Sequence, residues 1–271
     1  MNSIERRMVD VLKDLRDSHH VVGVKAEFEA EGTRMEEAYR LKEVVSKAGL
    51  DLTIKIGGCE ALKDLYEARV IGVSRIVAPM IESEYALRKY LTAARLAFPE
   101  DERKDVAFLI NIETALGFER FDAMLALPEL SELDGIVLGR VDMTGSLGMG
   151  RDDINHPRIQ TLARSLFERS RQHGLKCVIG GGVAAESLPF FRALGAELLD
   201  RYETRKVIFE CPGALDAEAE RGILKAVGFE LMWLKSKRDF YGMIFQEDRT
   251  RIEMLQSRYD RLIREAGGRT D

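Results

Sequence analysis

The chain predicts a (β/α)8 barrel followed by a long C-terminal helical extension, and three observations carry that expectation. Short apolar runs that alternate like strands are separated by longer stretches of helical periodicity. The strand–helix unit recurs roughly every 25 to 40 residues, the spacing of βαβ units in a parallel sheet. Seven or eight such units favour a closed barrel over the alternative, an open doubly wound sheet.

The elements follow in order. MNSIERRMVDVLKDL is too charged for the apolar core of a signal peptide and reads as an amphipathic helix. The first strand is VVGVKAEFE, in which Val22, Val24, Ala26 and Phe28 alternate with Gly23, Lys25, Glu27 and Glu29. TRMEEAYRLKEVVSKAG, CEALKDLYEARVIG, EYALRKYLTAARLAF, HPRIQTLARSLFERSRQHG and AAESLPFFRALG are helical, and several end in glycine as a C-terminal stop should. Between them lie the strands LTIKIGG, RIVAPMI, VAFLINIE, GIVLGRVDM and KCVIGGG. LLDRYETRKVIFE is compatible with one long strand or two short ones. From Leu215 onward the pattern is helical almost to the end, with an apolar surface that includes Leu231, Trp233, Leu234, Phe240, Tyr241, Ile244 and Phe245. Gly242 marks an expected break between two helices. The expected division is a barrel over residues 1–212 and an extension over 213–271, which either packs on a partner subunit or closes its own barrel.

Composition narrows the function. The chain has 271 residues, 45% hydrophobic and 32% charged, with a net charge of -5, which disfavours a nucleic-acid binder. No apolar run is long enough to span a bilayer. The three cysteines, Cys59, Cys177 and Cys211, are odd in number and widely spaced. They imply neither a disulfide framework nor a CxxC metal site, and a cytoplasmic location is expected.

In a barrel the outward face of each strand lies under helices and must be apolar, so the charged face points into the lumen. Lys25, Glu27 and Glu29 then point inward, as do Lys55, Asn111 and Glu113. Unpaired buried charges cost several kcal/mol each, so these groups must pair, hold a metal or face a wet mouth. Glu29, Lys55 and Glu113 fall at C-terminal strand ends, where this fold builds its sites. An internal ion-pair network serving stability is the alternative, and Lys25 is deep enough for it. Arg140 and Asp142 follow on the next strand. Glu113 and Asp142 are hard oxygen donors that suit Mg²⁺ or Mn²⁺ with water or substrate oxygens completing the shell. The histidines, His19, His20, His156 and His173, avoid the strand ends, and His156 before Pro157 reads as a cap. IGGGV, Ile179 to Val183, brings glycines, Gly181 among them, whose N–H groups can approach an anion. In RYETRK, Arg205 is either a carboxylate-binding arginine or half of a structural ion pair.

RIVAPMIES, INIETALG and GIVLGRVDMTGSLGMG followed by HPRIQ resemble the HpcH/HpaI aldolase and citrate lyase family, in the family's order from about Val21 to Phe209. The resemblance implies a (β/α)8 barrel, oligomers that commonly exchange C-terminal helices, and a divalent metal that binds a pyruvate-like 2-oxo acid and its enolate. It places the metal carboxylates at Glu113 and Asp142, and the amides that hold the substrate carboxylate around Val141. Two positions depart from it. Where the aldolase branch has Asp-Gly-Glu-His, this chain has Glu27-Phe28-Glu29-Ala30, without the histidine. Where that branch has an arginine on the oxo group, this chain has Lys55, a point charge that does not reproduce the arginine fork.

The resulting expectation is a homo-oligomeric, metal-dependent carbon–carbon lyase for a 2-oxo acid or related small carboxylate. Lys55 or Arg140 would hold developing negative charge, and Glu29 or Glu27, raised by crowding with other carboxylates, would move the proton. Lys25, Val141, Gly181 and Arg205 would contact the substrate. A Schiff base at Lys55 or Lys25 is a further route. A catalytically altered member that binds a small acid, or serves as a subunit of a larger assembly, is the rival.

Overall fold

Side-chain alternation builds the structure strand by strand. The computed structural model describes residues 1–269. The order is α1 (Ser3–His19), β1 (Val21–Glu27), α2 (Met35–Lys47), β2 (Asp51–Lys55), α3 (Leu62–Ile71), β3 (Arg75–Ala78), α4 (Glu84–Ala97), α5 (Glu100–Arg103), β4 (Ala107–Ile112), α6 (Ala115–Glu119), α7 (Phe121–Leu125), β5 (Gly135–Gly139), α8 (Arg140–Ser146), α9 (Pro157–Gln172), β6 (Lys176–Gly180), α10 (Leu188–Leu194), β7 (Arg201–Glu203), β8 (Val207–Glu210) and α11 (Ala219–Glu265). The eight strands close into a barrel in chain order. The chain divides into two compact units, Met1–Glu230 and Leu231–Asp271. Among the described residues, no helix is long and apolar enough to cross a membrane.

The outward faces are apolar as the alternation requires: Val24, Ala26, Leu52, Ile54, Ile110 and Ile112 are fully buried. α1 starts with a capping box in which Asn2 and Glu5 bond reciprocally, and it turns Met8, Leu12 and Leu15 inward. His156 caps α9 through its side chain, as its position before Pro157 suggests.

The lumen is divided. Val77, Leu109, Val137 and Val178, one from each of β3 to β6, form an apolar cluster. Val77 is in register with Lys55 on β2. The same layer therefore turns from apolar to charged where the sheet passes through β2, β1 and β7.

Three elements differ from the sequence reading. LLDRYETRKVIFE takes the two-strand alternative, but the second of the two, β8, breaks the expected parallel order and runs antiparallel to both β7 and β1. Only Thr204 to Lys206 separate β7 from β8, and a parallel return needs a crossover of about a dozen residues. Thr204 closes the turn by donating its N–H to the Val207 carbonyl at 2.9 Å and accepting from the Val207 N–H at 3.1 Å. The strand expected to run through Arg140 and Asp142 stops at Gly139, and both residues lie on α8. Gly242 does not break the tail: α11 is one helix of 47 residues.

Candidate functional site

Two interlocked ion-pair groups fill the charged half of the lumen. Lys25 Nζ lies 2.6 Å from Glu203 Oε1 and 3.1 Å from Glu27 Oε1, with all three residues buried. Nearer the mouth, Lys55 Nζ lies 3.0 Å from Glu29 Oε2 and 3.5 Å from Glu113 Oε1. Glu113 also accepts from Asn111 Nδ2 at 2.6 Å and from the Met80 N–H at 3.0 Å. Met80 adopts a left-handed backbone (φ 45°), an uncommon conformation for a non-glycine residue.

Glycines make the room. A Cβ on Gly139 would fall 2.5 Å from Glu113 Oε2, and one on Gly180 would fall 3.2 Å from Glu203 Oε1. Gly139 and Gly180 are register partners on β5 and β6, so adjacent strands give up side chains to admit two carboxylates. Gly139→Ala is expected to displace Glu113 and lower unfolding stability by about 1–3 kcal/mol, read by urea denaturation.

The electrostatics separate the carboxylates. Burial pushes Glu27 up, but Lys25 and Lys55 outweigh it and hold the group below its ordinary value. The expected upward tuning of Glu27 by crowding is therefore reversed. Glu113 is the carboxylate that is raised: burial dominates, Lys55, Asn111 and Met80 oppose it, and Asp142 adds to it. Lys25 and Lys55 stay protonated, because neighbouring carboxylates overcome the burial that would lower them. A neutral lysine nucleophile is not what this environment makes.

Other expected site residues are placed differently. Arg140 is fully buried. Its Nε donates to the Gly180 carbonyl at 3.2 Å, and Nη2 donates to the Gly181 carbonyl and to Ser187 Oγ, each at 3.0 Å. Nη1 donates to Asn155 at 2.6 Å, and the guanidinium lies 4.9 Å from the Phe191 ring centroid. Arg140 thus clamps the end of β5 to the end of β6 through the Gly180 and Gly181 carbonyls. Gly181 (φ 81°) still shapes the rim, because a Cβ there would fall 2.7 Å from the backbone nitrogens of Arg140 and Val141. Lys25 sits at the centre of the ion triad with Glu27 and Glu203. Arg205 takes the ion-pair alternative, with Nε 3.2 Å from Glu31 Oε1.

Glu31 and Lys206 were missed. They pair at the mouth, and the Glu27 N–H also reaches Glu31 Oε2 at 3.3 Å. The signal lay in the β7–β8 turn, which brings Arg205 and Lys206 over the end of β1 once β8 is read as reversed.

The donor set admits a divalent cation. Six carboxylates, those of Glu27, Glu29, Glu31, Glu113, Asp142 and Glu203, lie in the lumen or at the C-terminal strand ends with four cations, those of Lys25, Lys55, Arg205 and Lys206. Asp142 is exposed and raises Glu113 electrostatically, so the two carboxylates repel, and a cation accepting both would relieve that repulsion. Among the described residues no three His, Cys, Asp or Glu side chains form a metal cage. The chain offers two hard oxygen donors, the pattern of Mg²⁺ or Mn²⁺ bound with water or substrate oxygens.

The model of the HpcH/HpaI aldolase/citrate lyase family matches residues 34–198. The 5-keto-4-deoxy-D-glucarate aldolase of Salmonella paratyphi C is 30% identical over 102 residues, 35% of this chain and 38% of that protein, so the match spans well under half of the relative. An HpcH/HpaI aldolase from Desulfitobacterium hafniense has a similar fold, with a TM-score of 0.58 at 15% identity over 83% of this chain and 88% of that one. A protein of the HpcH/HpaI aldolase/citrate lyase family from Burkholderia cenocepacia also scores 0.58, at 16% identity over 87% of this chain and all of that one (100%).

Proposed function

The chain belongs to the HpcH/HpaI aldolase/citrate lyase family, and on that footing we propose that it is a divalent-metal-dependent carbon–carbon lyase for a 2-oxo acid or related carboxylate. The observation that carries the proposal is the Glu113 carboxylate, which Lys55, Asn111 and Met80 fix at the top of β4, in space left by Gly139 and facing the charge of Asp142.

Glu113 and Asp142 would hold the cation, which supplies electrophilic pull on a 2-oxo group when bound. Lys55 Nζ, kept charged between Glu29 and Glu113, holds the negative charge that develops as the carbon–carbon bond breaks. The Val141 amide, left uncrowded by Gly181, donates to the substrate carboxylate. Glu29 moves the proton at Oε1, the oxygen that its ion pair with Lys55 does not use. Glu27 takes no proton-transfer role, because Lys25 and Lys55 hold it ionised.

Thermal unfolding tests this reading. With EDTA, oxalate is expected to leave the melting temperature unchanged. With Mg²⁺ or Mn²⁺ and oxalate at about 100 times its Kd, it should stabilise the protein by about 2.7 kcal/mol. No shift from metal or acid would mean that the lumen charges serve only each other. A shift without turnover of any 2-oxo acid would favour the rival, an acid-binding member of the family.

A further inference from the structure

The long helix carries a second pattern that the catalytic reading does not use. From Leu224, alternate steps of three and four residues land on an apolar or aromatic side chain ten times in twelve, as far as Leu262. This is the seam of a coiled coil, sustained over more than five heptads. The seam is exposed: Leu224 is 70% accessible, Leu234 52%, Phe245 68% and Ile252 64%. Toward its start the same helix turns a separate face inward, with Ile223, Ala226 and Phe229 buried. The two exceptions in the seam are Arg238 and Asp248.

We propose that α11 pairs with α11 of a second copy of this chain as an antiparallel coiled coil, in the register that sets Arg238 against the partner's Asp248. The seam is complementary to itself in that one arrangement. With Arg238 opposite the partner's Asp248, Leu234 meets the partner's Ile252, Leu231 meets the partner's Leu255, and Tyr241 meets the partner's Phe245. The two-fold axis repeats each pair, so both charges are matched twice. A parallel in-register pair would instead stack Arg238 on the partner's Arg238 and Asp248 on the partner's Asp248. An antiparallel slip of one heptad would set each charge against an apolar side chain. Charges in a coiled-coil seam are a register device, because mispairing them is strongly unfavourable.

Gly242 supplies an independent observation. It sits inside a continuous helix, where glycine is less favourable than alanine by about 1 kcal/mol, and a Cβ placed there would meet nothing within 4 Å in this chain. In the proposed register Gly242 flanks the two-fold axis and faces the partner's Gly242, where the missing side chain lets two backbones approach. Lys235 and the partner's Arg249 form a like-charged flanking pair, but solvated surface pairs weigh under about 1 kcal/mol, so the seam decides.

The test uses the full chain with cysteines placed in the seam. Under mild oxidation, the double variant Leu234→Cys/Ile252→Cys is expected to give a covalent dimer on a non-reducing gel. Each single variant should match the parent, whose three native cysteines set the baseline. Cross-linking by Leu234→Cys alone would overturn the proposal in favour of a parallel pair. No cross-linking of the double variant, with its helical circular dichroism intact, would overturn it outright. Sedimentation equilibrium adds the charge test. Arg238→Asp and Asp248→Arg should each raise the dimer Kd at least about 10-fold, and the double reversal should restore it. Equal dissociation constants in all four proteins would overturn the assigned register.

Discussion

Replacing Lys25 by methionine is expected to lower the unfolding free energy by about 3–5 kcal/mol, the largest stability effect of any single lumen substitution. The ammonium is the direct ion partner of both Glu27 and Glu203, and its removal leaves two carboxylates buried in one cavity. Only the weaker attraction of Lys55 and Arg205 then offsets desolvation at Glu27, so protonation or water entry must relieve the rest. The pH dependence has a definite sign. Glu27 sits below its usual 4.5, so its contribution is complete above that pH and lost as pH falls through the depressed value. Lys25 sits above its usual 10.5, so its contribution is complete below that pH and lost as pH rises through the raised value. The stability gap between parent and variant should therefore be flat around neutrality and narrow at the acid end. Urea denaturation from pH 3 to 8 measures it. A gap under about 1 kcal/mol would mean that Lys25 is dispensable to the network.

Glu113→Gln is expected to weaken Mn²⁺ binding by at least about 100-fold and to lower kcat/KM by about 1000-fold or more. The amide keeps the shape of the side chain but removes the anionic donor. With its oxygen toward the Met80 N–H and Lys55, the glutamine turns its NH2 to Asn111, whose amide must rotate to accept with Oδ1; once it does, the side chain keeps its place and the effect should appear in metal affinity rather than in folding. Calorimetric titration with Mn²⁺ separates the two. Unchanged metal affinity and turnover would refute the metal reading.

Much of this was legible before the fold was seen. Alternation in VVGVKAEFE and VAFLINIE identified the inward charges, because a strand's side chains alternate whatever its neighbours do. The same reasoning failed at GIVLGRVDM, where the chain leaves the strand at Gly139 and enters α8. Helix and strand compete locally there, and contacts from Gly180, Gly181, Asn155 and Ser187 hold Arg140 in the helical turn. The reversed β8 was implicit in a three-residue connection, and reading that turn would have exposed Glu31 and Lys206.

The sequence by itself determined the barrel, the inward charges of the first, second and fourth strands and the family, because hydrophobic period and motif order are properties of the chain alone. The tertiary structure decided which charge meets which and what each pairing does to a proton. Lys25 and Glu203 lie 178 residues apart in the chain and 2.6 Å apart in space. Whether burial or attraction prevails at a carboxylate depends on such distances: Glu27 is lowered and Glu113 raised in one lumen, although both are glutamates at strand ends.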